Sequence, residues 1–418
     1  MLSVHEAVAR VVGDIAPLAV ETVPLLDALG RVLAADAVAP YTLPACNNSA
    51  MDGYAVRSDE LRGARADAPR TFRVVETVAA GQFPTRAIAA GEATRIMTGA
   101  PLPMGADCVL RVEDTDAGVE RVQAFNDRDC GKNVRPRGED FVEGQVVLSA
   151  GMPIHAAQIG VLASLGMAQV PVHRAPRVAI LGSGDELVEL DEFDRVVAGE
   201  KIVASNSYTL HALVRANGGV PMVVGNAKDT PEAMRAAFER AIAFEPDLII
   251  TSAGISVGEF DYTRRVLADL GAELNFWKVR MRPGAPIGFG RVAGIPWVGL
   301  PGNPVSVMVT FELFARPALL RMLGQTRLFR RPVTVRLEEP VQIGAKLTHF
   351  LRGIVTVQPS GELTARLTGA QGSGILTSMA RANALLIVPE DAPTHAAGEQ
   401  LSALLLSADA SLAESFAL

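Results

Sequence analysis

The spacing of apolar positions changes character three times along the chain. Ser3-Val4-His5-Glu6 has the form of a capping box and opens a helix that runs to about Ile15. A second amphipathic stretch covers residues 25–35, with Gly30 inside it, and residues 156–165 return to helical spacing. Between these, residues 72–78, 108–112 and 119–125 are short strand-like runs parted by glycine and polar turns. From Pro176 onward strands and helices alternate. The apolar runs 178–181, 220–224, 248–250, 274–281 and 296–300 predict strands. Asn206 or Ser207 caps a helix, Thr230-Pro231 starts another, and residues 262–270 and 307–320 are helical as well. Beyond about residue 328 the texture is β again, with strands at 333–337, 354–357, 385–388 and 401–405.

These textures predict a multi-domain α/β plus β protein. An elongated helical domain is split between residues 1–43 and 145–175, with a β-rich domain at 44–144 inserted into it. Residues 176–327 form a three-layer α/β domain, a parallel sheet with helices on both faces, and 328–418 a C-terminal β-barrel-like domain. In such a sheet ligands sit at the carboxyl ends of the strands, where the loops lie.

Composition narrows the classes. A chain of 418 residues is too long for one core. With 49% hydrophobic and 20% charged residues it folds, and a net charge of -7 argues against general nucleic-acid binding. No apolar run approaches membrane-spanning length and the N-terminus lacks a signal-peptide pattern, so a cytoplasmic location is expected. Cys46, Cys108 and Cys130 are odd in number and widely spaced, which fits a reducing compartment, and the six histidines show no zinc spacing.

The candidate chemistry is anionic. Residues 248–261 read strand, small-residue loop, then helix, an arrangement that presents backbone N–H groups to an anion. Gly254 and Gly258 admit close backbone approach, and Glu259 and Asp261 stand at the helix start. Those acids either cap the helix or hold a divalent cation beside a phosphate. Pro301-Gly302-Asn303-Pro304-Val305-Ser306 is a second such cradle. Lys278, Arg280 and Arg282 alternate along a predicted strand, as an anion-holding row or a solvated edge. Lys132 to Asp140 sets three cations beside two carboxylates, as a surface loop or an anion site, and Asp52-Gly53 is a turn or a site. Gly182-Ser183-Gly184-Asp185-Glu186 lacks the third glycine of a dinucleotide fingerprint. Arg352 and the 369–374 loop are polar features of the last domain, each also readable as an ordinary turn. No Ser-His-Asp or Cys-His set can be assembled. Carboxylates recur at loop ends: Asp52, Asp140, Glu186, Asp229 and Asp261. Hard oxygen donors beside anion cradles imply Mg²⁺ and phosphate chemistry.

Five collinear motifs carry a resemblance. Ser49-Ala50-Met51-Asp52-Gly53-Tyr54-Ala55, Arg95-Ile96-Met97-Thr98-Gly99-Ala100-Pro101, Arg137-Gly138-Glu139-Asp140, residues 254–262 and Leu300-Pro301-Gly302-Asn303-Pro304-Val305-Ser306 are similar to the signatures of the molybdopterin molybdenumtransferase family, which includes MoeA and the gephyrin E domain. The likeness spans essentially the whole chain. It implies a four-domain homodimer that converts adenylylated molybdopterin and molybdate to molybdenum cofactor, with Mg²⁺ and release of AMP. It implies a site shared between the α/β domain of one subunit and the small β domain of the other. Carried over to this chain, the catalytic positions are Asp52, Thr98, Asp140, Asp261 and Lys278, and the metal positions Glu186, Asp229 and Asp261. The substrate positions are Gly254, Ser256, Gly258, Arg282, Pro301, Gly302, Asn303, Pro304, Ser306, Arg352 and Ser373. An upstream molybdopterin adenylyltransferase and acceptor molybdoenzymes are the implied partners, with no nucleic acid and no membrane. The chain departs from the family at Arg282-Pro283-Gly284-Ala285-Pro286, where lysine-proline-glycine-lysine-proline is usual. That change bears on the oxyanion site. The alternatives are a molybdopterin-binding paralogue with altered, tungstate-favouring oxyanion preference and a non-catalytic scaffold.

Overall fold

The computed structural model describes residues 1–254 and 260–407, with backbone alone at 260–262. The chain divides into two compact units. One comprises residues 1–34, 151–156 and 169 onward, the other residues 35–150 and 157–168.

The first unit is built on a six-stranded sheet. Its strands Val220–Ala227, Arg177–Ser183, Leu248–Ser252 and Ile295–Leu300 lie side by side and parallel. The period of two sends Val178, Ile180, Leu248 and Ile250 to one face, against Leu210 and Val214 of the helix Ser205–Ala216. Ala179, Leu181 and Ile249 go to the other face, against Ala237, Phe238, Val266 and Leu267. Three layers result, because the central strands Arg177–Ser183 and Leu248–Ser252 are buried on both sides. The helix Val4–Asp14 adds Ala7 and Val11 to the first face, and its capping box is closed. Ser3 N–H donates to Glu6 at 2.7 Å and Glu6 N–H to Ser3 Oγ at 3.2 Å. Thr230 caps the helix Pro231–Ala243 as expected.

The sheet is mixed, not purely parallel. Pro286–Val292 and Glu273–Lys278 extend it in antiparallel register. The first of these strands escapes the sequence pattern because Gly288 and Gly290 interrupt it. Both glycines are needed. A Cβ at Gly288 would stand 2.6 Å from the Trp297 ring, and one at Gly290 2.3 Å from the Glu273 carbonyl oxygen.

Three further expectations are corrected. Residues 25–35 are not a helix: one 3-10 turn, Leu25–Ala28, ends at Gly30 (φ 77), and Val32 and Leu33 make β-bridges. The parts expected to be helical also hold an antiparallel ribbon, Val20–Pro24 with Gln169–His173. The cation row is not one strand. The strand Glu273–Lys278 stops at Lys278, and Met281–Arg282 pairs instead with Thr348–Val357 of the C-terminal region. Alternate exposure does survive the break: Val279 and Met281 are fully buried while Lys278, Arg280 and Arg282 are exposed.

The C-terminal region is a closed barrel of five strands. Thr348–Val357, Leu363–Leu367, Val333–Leu337, Gln400–Leu405 and Ala384–Val388 pair in that order, and the last returns to the first. Closure leaves no free edge.

The second unit centres on a five-stranded sheet ordered Cys108–Arg111, Gly53–Val56, Glu92–Ile96, Arg65–Val78 and Arg121–Asn126. Its apolar filling includes Tyr54, Val56, Phe72, Leu110 and Val122. The ribbon Asn48–Ser49 with Val134–Arg135 joins two of the sequence motifs.

Candidate active site

The parallel strands end together, and a cavity of ≈ 300 Å³ opens at their carboxyl ends. Ser183, Asn226 and Ser252 come from the strand ends, Gly254 from the small-residue loop after Ser252, Ser205 to Ser207 from the helix start, and Gly302 to Pro304 from the second cradle. Ala253 and Gly254 both take positive φ, 73° and 71°, so the loop turns sharply away from the sheet. A Cβ at Gly254 would lie 2.9 Å from Thr263 Oγ1. The expectation that Asn206 or Ser207 caps the helix is wrong. Ala204 stands at that position, and Asn206 Nδ2 donates instead to the Gly302 carbonyl at 2.7 Å, tying helix to cradle.

The acidic loops meet at this end of the sheet. Asp185 N–H donates to Asp229 Oδ2 and Asp229 N–H to Asp185 Oδ1, both at 3.3 Å. Glu186 follows directly, its carboxylate folded against Gly184, where a Cβ would stand 2.7 Å away. The Glu186 carboxylate accepts no hydrogen bond and has no cation partner among the described residues, while its carbonyl accepts from Ile202 N–H at 3.0 Å. Its free oxygens are of the hard type that Mg²⁺ takes. Among the described residues no three His, Cys, Asp or Glu side chains are placed to hold a metal. Asp261, the third expected ligand, falls outside the described side chains, and Ser256, Gly258 and Glu259 lie outside the described residues altogether.

A second, larger cavity of ≈ 750 Å³ lies between the sheet domain and the barrel, within the same compact unit. The Pro301–Ser306 segment is the wall between the two, since Asn303 lines both. Arg282, Ala285, Pro301, Ser306, Arg352 and Ser373 all line the larger one. Arg352 belongs to no turn. It sits in the strand Thr348–Val357 with 1% exposure. Nε donates to Ser378 Oγ at 3.1 Å and Nη2 to the Gly372 carbonyl at 2.9 Å and the Ala370 carbonyl at 3.4 Å. All of its acceptors are neutral, and Nη1 has no protein partner among the described residues. Burial pulls the guanidinium pKa down, which is the cost of a charge without a counter-ion. Such a charge, at a cavity wall, fits an anion. His349 lines the same cavity, and burial first, then the nearby Arg282, lowers its pKa. The Ser373 carbonyl accepts from Val305 N–H at 3.1 Å, so one amide of the second cradle is already used. Lys278 is exposed with no partner among the described residues, while Arg280 pairs with Glu390 at 3.5 Å.

In the second unit the remaining motifs converge. Thr98 N–H and Oγ–H both donate to Asp52 Oδ1 at 2.7 Å, holding that carboxyl below its usual pKa, the backbone bond most strongly. The Asp52-Gly53 step is no turn. Gly53 begins a buried strand, and a Cβ there would fall 2.0 Å from the Leu110 carbonyl oxygen. Gly99 N–H donates to Ser49 O, Ala50 N–H to Asn133 O, and Arg137 N–H to Asn47 Oδ1 at 2.9 Å. Asp140 stands exposed at the end of this laced group, its N–H on the Leu43 carbonyl.

Sequence reasoning missed Asn226, His349 and Ser378 as site residues, weighed Ser183 only as part of a weak glycine motif, and named Gln371 only within the polar 369–374 loop. Gln371 Oε1 accepts from Arg352 N–H at 2.8 Å, and Gln371 Nε2 donates to the Arg352 carbonyl at 3.1 Å. None of the missed residues carried a local signal: Asn226 lies in the edge strand Val220–Ala227, His349 near the start of Thr348–Val357 and Ser378 in the helix Leu376–Arg381.

A layered α/β domain carries two cavities, a barrel follows it, and a separate β unit is part of the same chain. Residues 2–166 match the family described as the MoeA N-terminal region (domain I and II), 179–321 the probable molybdopterin binding domain, and 334–406 the MoeA C-terminal region (domain IV). A Mycobacterium tuberculosis protein named molybdopterin molybdenumtransferase 2 is 39% identical over 387 residues, 91% of this chain and 93% of its own. A molybdopterin molybdenumtransferase of Staphylococcus aureus is 33% identical over 98% of this chain and 96% of its own. The solved molybdopterin biosynthesis moeA protein of Pyrococcus horikoshii OT3 superposes with a TM-score of 0.83 at 29% identity, covering 97% of this chain and 100% of that one. The chain belongs to the molybdopterin molybdenumtransferase family.

Proposed function

We propose that this chain inserts molybdate into adenylylated molybdopterin, releasing AMP and giving molybdenum cofactor. Family membership makes it a transferase of molybdenum cofactor biosynthesis. The observation that carries the detailed reading is Arg352: a buried guanidinium bound only to neutral acceptors, at the wall of a cavity that also holds Arg282, Ser306 and Ser373. That cavity is the oxyanion site. The smaller cavity takes the organic substrate, with Gly254 and Gly302 allowing close backbone approach.

Glu186 and Asp229, with Asp261, would hold Mg²⁺. Bound there, the ion neutralises charge developing on the phosphoanhydride oxygens. Asp52, kept ionised by Thr98, is suited to accept a hydrogen bond from a donor at the reacting centre. Lys278 supplies a mobile cation and Asp140 a second exposed carboxylate. The proposal includes a homodimer in which a second copy contributes Asp52, Thr98 and Asp140. It also includes supply of substrate by a separate molybdopterin adenylyltransferase, delivery to molybdoenzymes, and a cytoplasmic location. No described helix is long and apolar enough to cross a membrane.

The test is AMP release from adenylylated molybdopterin with Mg²⁺, with and without molybdate. Molybdate-dependent release is expected. Release with tungstate alone would favour the altered-preference reading, for which the Arg282-Pro283-Gly284-Ala285-Pro286 turn is the supporting observation. Binding without cleavage would leave the fold assigned and overturn the reaction.

A further inference from the structure

The larger cavity is lined by two guanidiniums, Arg282 and Arg352, by one imidazole, His349, and by no carboxylate among the described residues. His349 is 5% exposed and lies in the strand Thr348–Val357. Its Nδ1 stands 2.8 Å from the Leu347 carbonyl oxygen. A carbonyl only accepts, so Nδ1 carries the hydrogen, and in the neutral ring the lone pair is on Nε2. Nε2 has no partner among the described residues, and it is not one of the sealed, unpaired polar atoms found there.

The charges around the ring are one-sided. Met281–Arg282 pairs with this strand in parallel and sets Arg282 opposite His349, where register partners carry their side chains on the same face. Arg282 is exposed and has no carboxylate partner among the described residues. Arg352, three positions along, leaves the strand on the opposite face, so Arg282 is the charge that acts on His349. On the other flank Val388 stands opposite His349, and Glu390 just beyond it is paired with Arg280 at 3.5 Å. Lys346, in the turn before the strand, is exposed. Burial lowers the His349 pKa most; the Leu347 bond opposes it and Arg282 adds to it. The free protein therefore holds the ring neutral at about pH 7.

An unprotonated Nε2 and an oxyanion both present lone pairs and repel each other. A metal cation on Nε2 would be repelled by Arg282 instead. Protonation turns Nε2 into a charge-assisted donor beside that guanidinium. We propose that His349 is a proton-linked binding residue of this cavity: when an oxyanion settles beside Arg282, Nε2 takes up one proton from solvent and donates a hydrogen bond to an anion oxygen. This rests on the reading that the cavity takes molybdate. The pH dependence then has a fixed sign. Below the free-state pKa the ring is already charged and affinity is level. A bound anion raises the pKa, so affinity falls as pH rises from the free-state value to the bound-state value.

The full chain is titrated calorimetrically with molybdate at constant ionic strength, in two buffers of different ionisation enthalpy. Wild type is expected to take up a proton on binding, and its Kd to rise about five- to tenfold between about pH 6.5 and about pH 7.5. His349→Gln keeps an N–H donor that needs no proton. It should bind molybdate without proton uptake and with a Kd that changes less than about twofold over the same range. A merely structural role would weaken binding at every pH alike and leave the slope in place. Melting temperatures show that the variant folds. Carbon-13 NMR of the imidazoles in wild type is the second measurement: one of the six histidines should gain a higher pKa when molybdate is added. No proton uptake in wild type, no such histidine, or a slope that survives His349→Gln overturns the role of His349 and leaves the two arginines as the oxyanion site. Failure of wild type to bind molybdate overturns the reading of the cavity along with it.

Discussion

Thr98 gives both of its donors to one oxygen of Asp52: the backbone N–H and the hydroxyl each reach Oδ1 at 2.7 Å. Both bonds favour the ionised carboxylate, so the Asp52 pKa lies below that of a free aspartate. Thr98→Val keeps the backbone donor and the side-chain volume but removes the hydroxyl. The expected result is an Asp52 pKa raised part of the way back. Because the ionised form is the one lost as pH falls, the acid limb of the activity profile should move to higher pH. Thr98→Ser should leave it in place. Carboxyl-carbon NMR of Asp52 in both variants checks the cause directly, and an unmoved resonance in Thr98→Val would refute it.

Arg352 invites a prediction in which stability and function part. Its charge is buried without a counter-ion, but it also satisfies the Ser378, Ala370 and Gly372 acceptors, so replacing it with an apolar chain of similar length trades a relieved burial cost against lost hydrogen bonds and is close to neutral. A charged hydrogen bond to the oxyanion contributes about 1.5–3 kcal/mol, roughly 10- to 100-fold in affinity. Arg352→Met should therefore keep the melting temperature while weakening molybdate binding by at least tenfold. A fall in both would make Arg352 a structural residue.

How much of this was legible in the sequence depends on the kind of signal. The two-sided burial of residues 178–181 and 248–250 follows from continuous apolar runs, and the capping box at Ser3 and the N-cap at Thr230 from local chemistry. These survive in the structure because tertiary packing agrees with them. The strand Pro286–Val292 was hidden because packing against Trp297 and Glu273 demands glycine where propensity would want branched residues. The cation row failed because an alternation of two does not reveal a break at Val279 that sends Met281 and Arg282 to another sheet. Asp52 and Thr98 were legible as motif residues, but their bond was not. Asn226 carried no signal at all, since its place at the cavity is a property of its surroundings and not of its sequence neighbours.

The contact between Gly299 and Trp297 sets a stability test away from the chemistry. A Cβ at Gly299 would lie 2.4 Å from Trp297 Cζ2, in a sheet where Trp297 is fully buried and donates to Thr251 Oγ1 at 3.2 Å. The ring cannot yield without disturbing that bond. Gly299→Ala should cost about 1–3 kcal/mol through overpacking, seen as a lower melting temperature of the α/β domain. Gly344→Ala, where nothing lies within 4 Å, is the control and should change little. Equal melting temperatures would show that the ring has room to move.

Ala285 is where the proposed oxyanion cavity lacks a charge. It lines the cavity with Arg282 and Arg352, and its carbonyl accepts from Val279 N–H at 3.0 Å, a bond that does not depend on the side chain. A lysine can therefore be placed there without unmaking the turn. Its ammonium, on a flexible and partly solvated chain, would act on a bound dianion through a medium of intermediate dielectric. That is about 1 kcal/mol, or roughly fivefold in affinity. Ala285→Lys should lower the molybdate concentration needed for half-maximal AMP release by that factor. The gain should shrink as salt is raised, because a partly exposed pair is screened. Arg352→Met combined with Ala285→Lys should recover part of the loss if both cations act on one anion. An unchanged molybdate dependence in Ala285→Lys would remove position 285 from the oxyanion site and leave Arg352 to hold it without that turn.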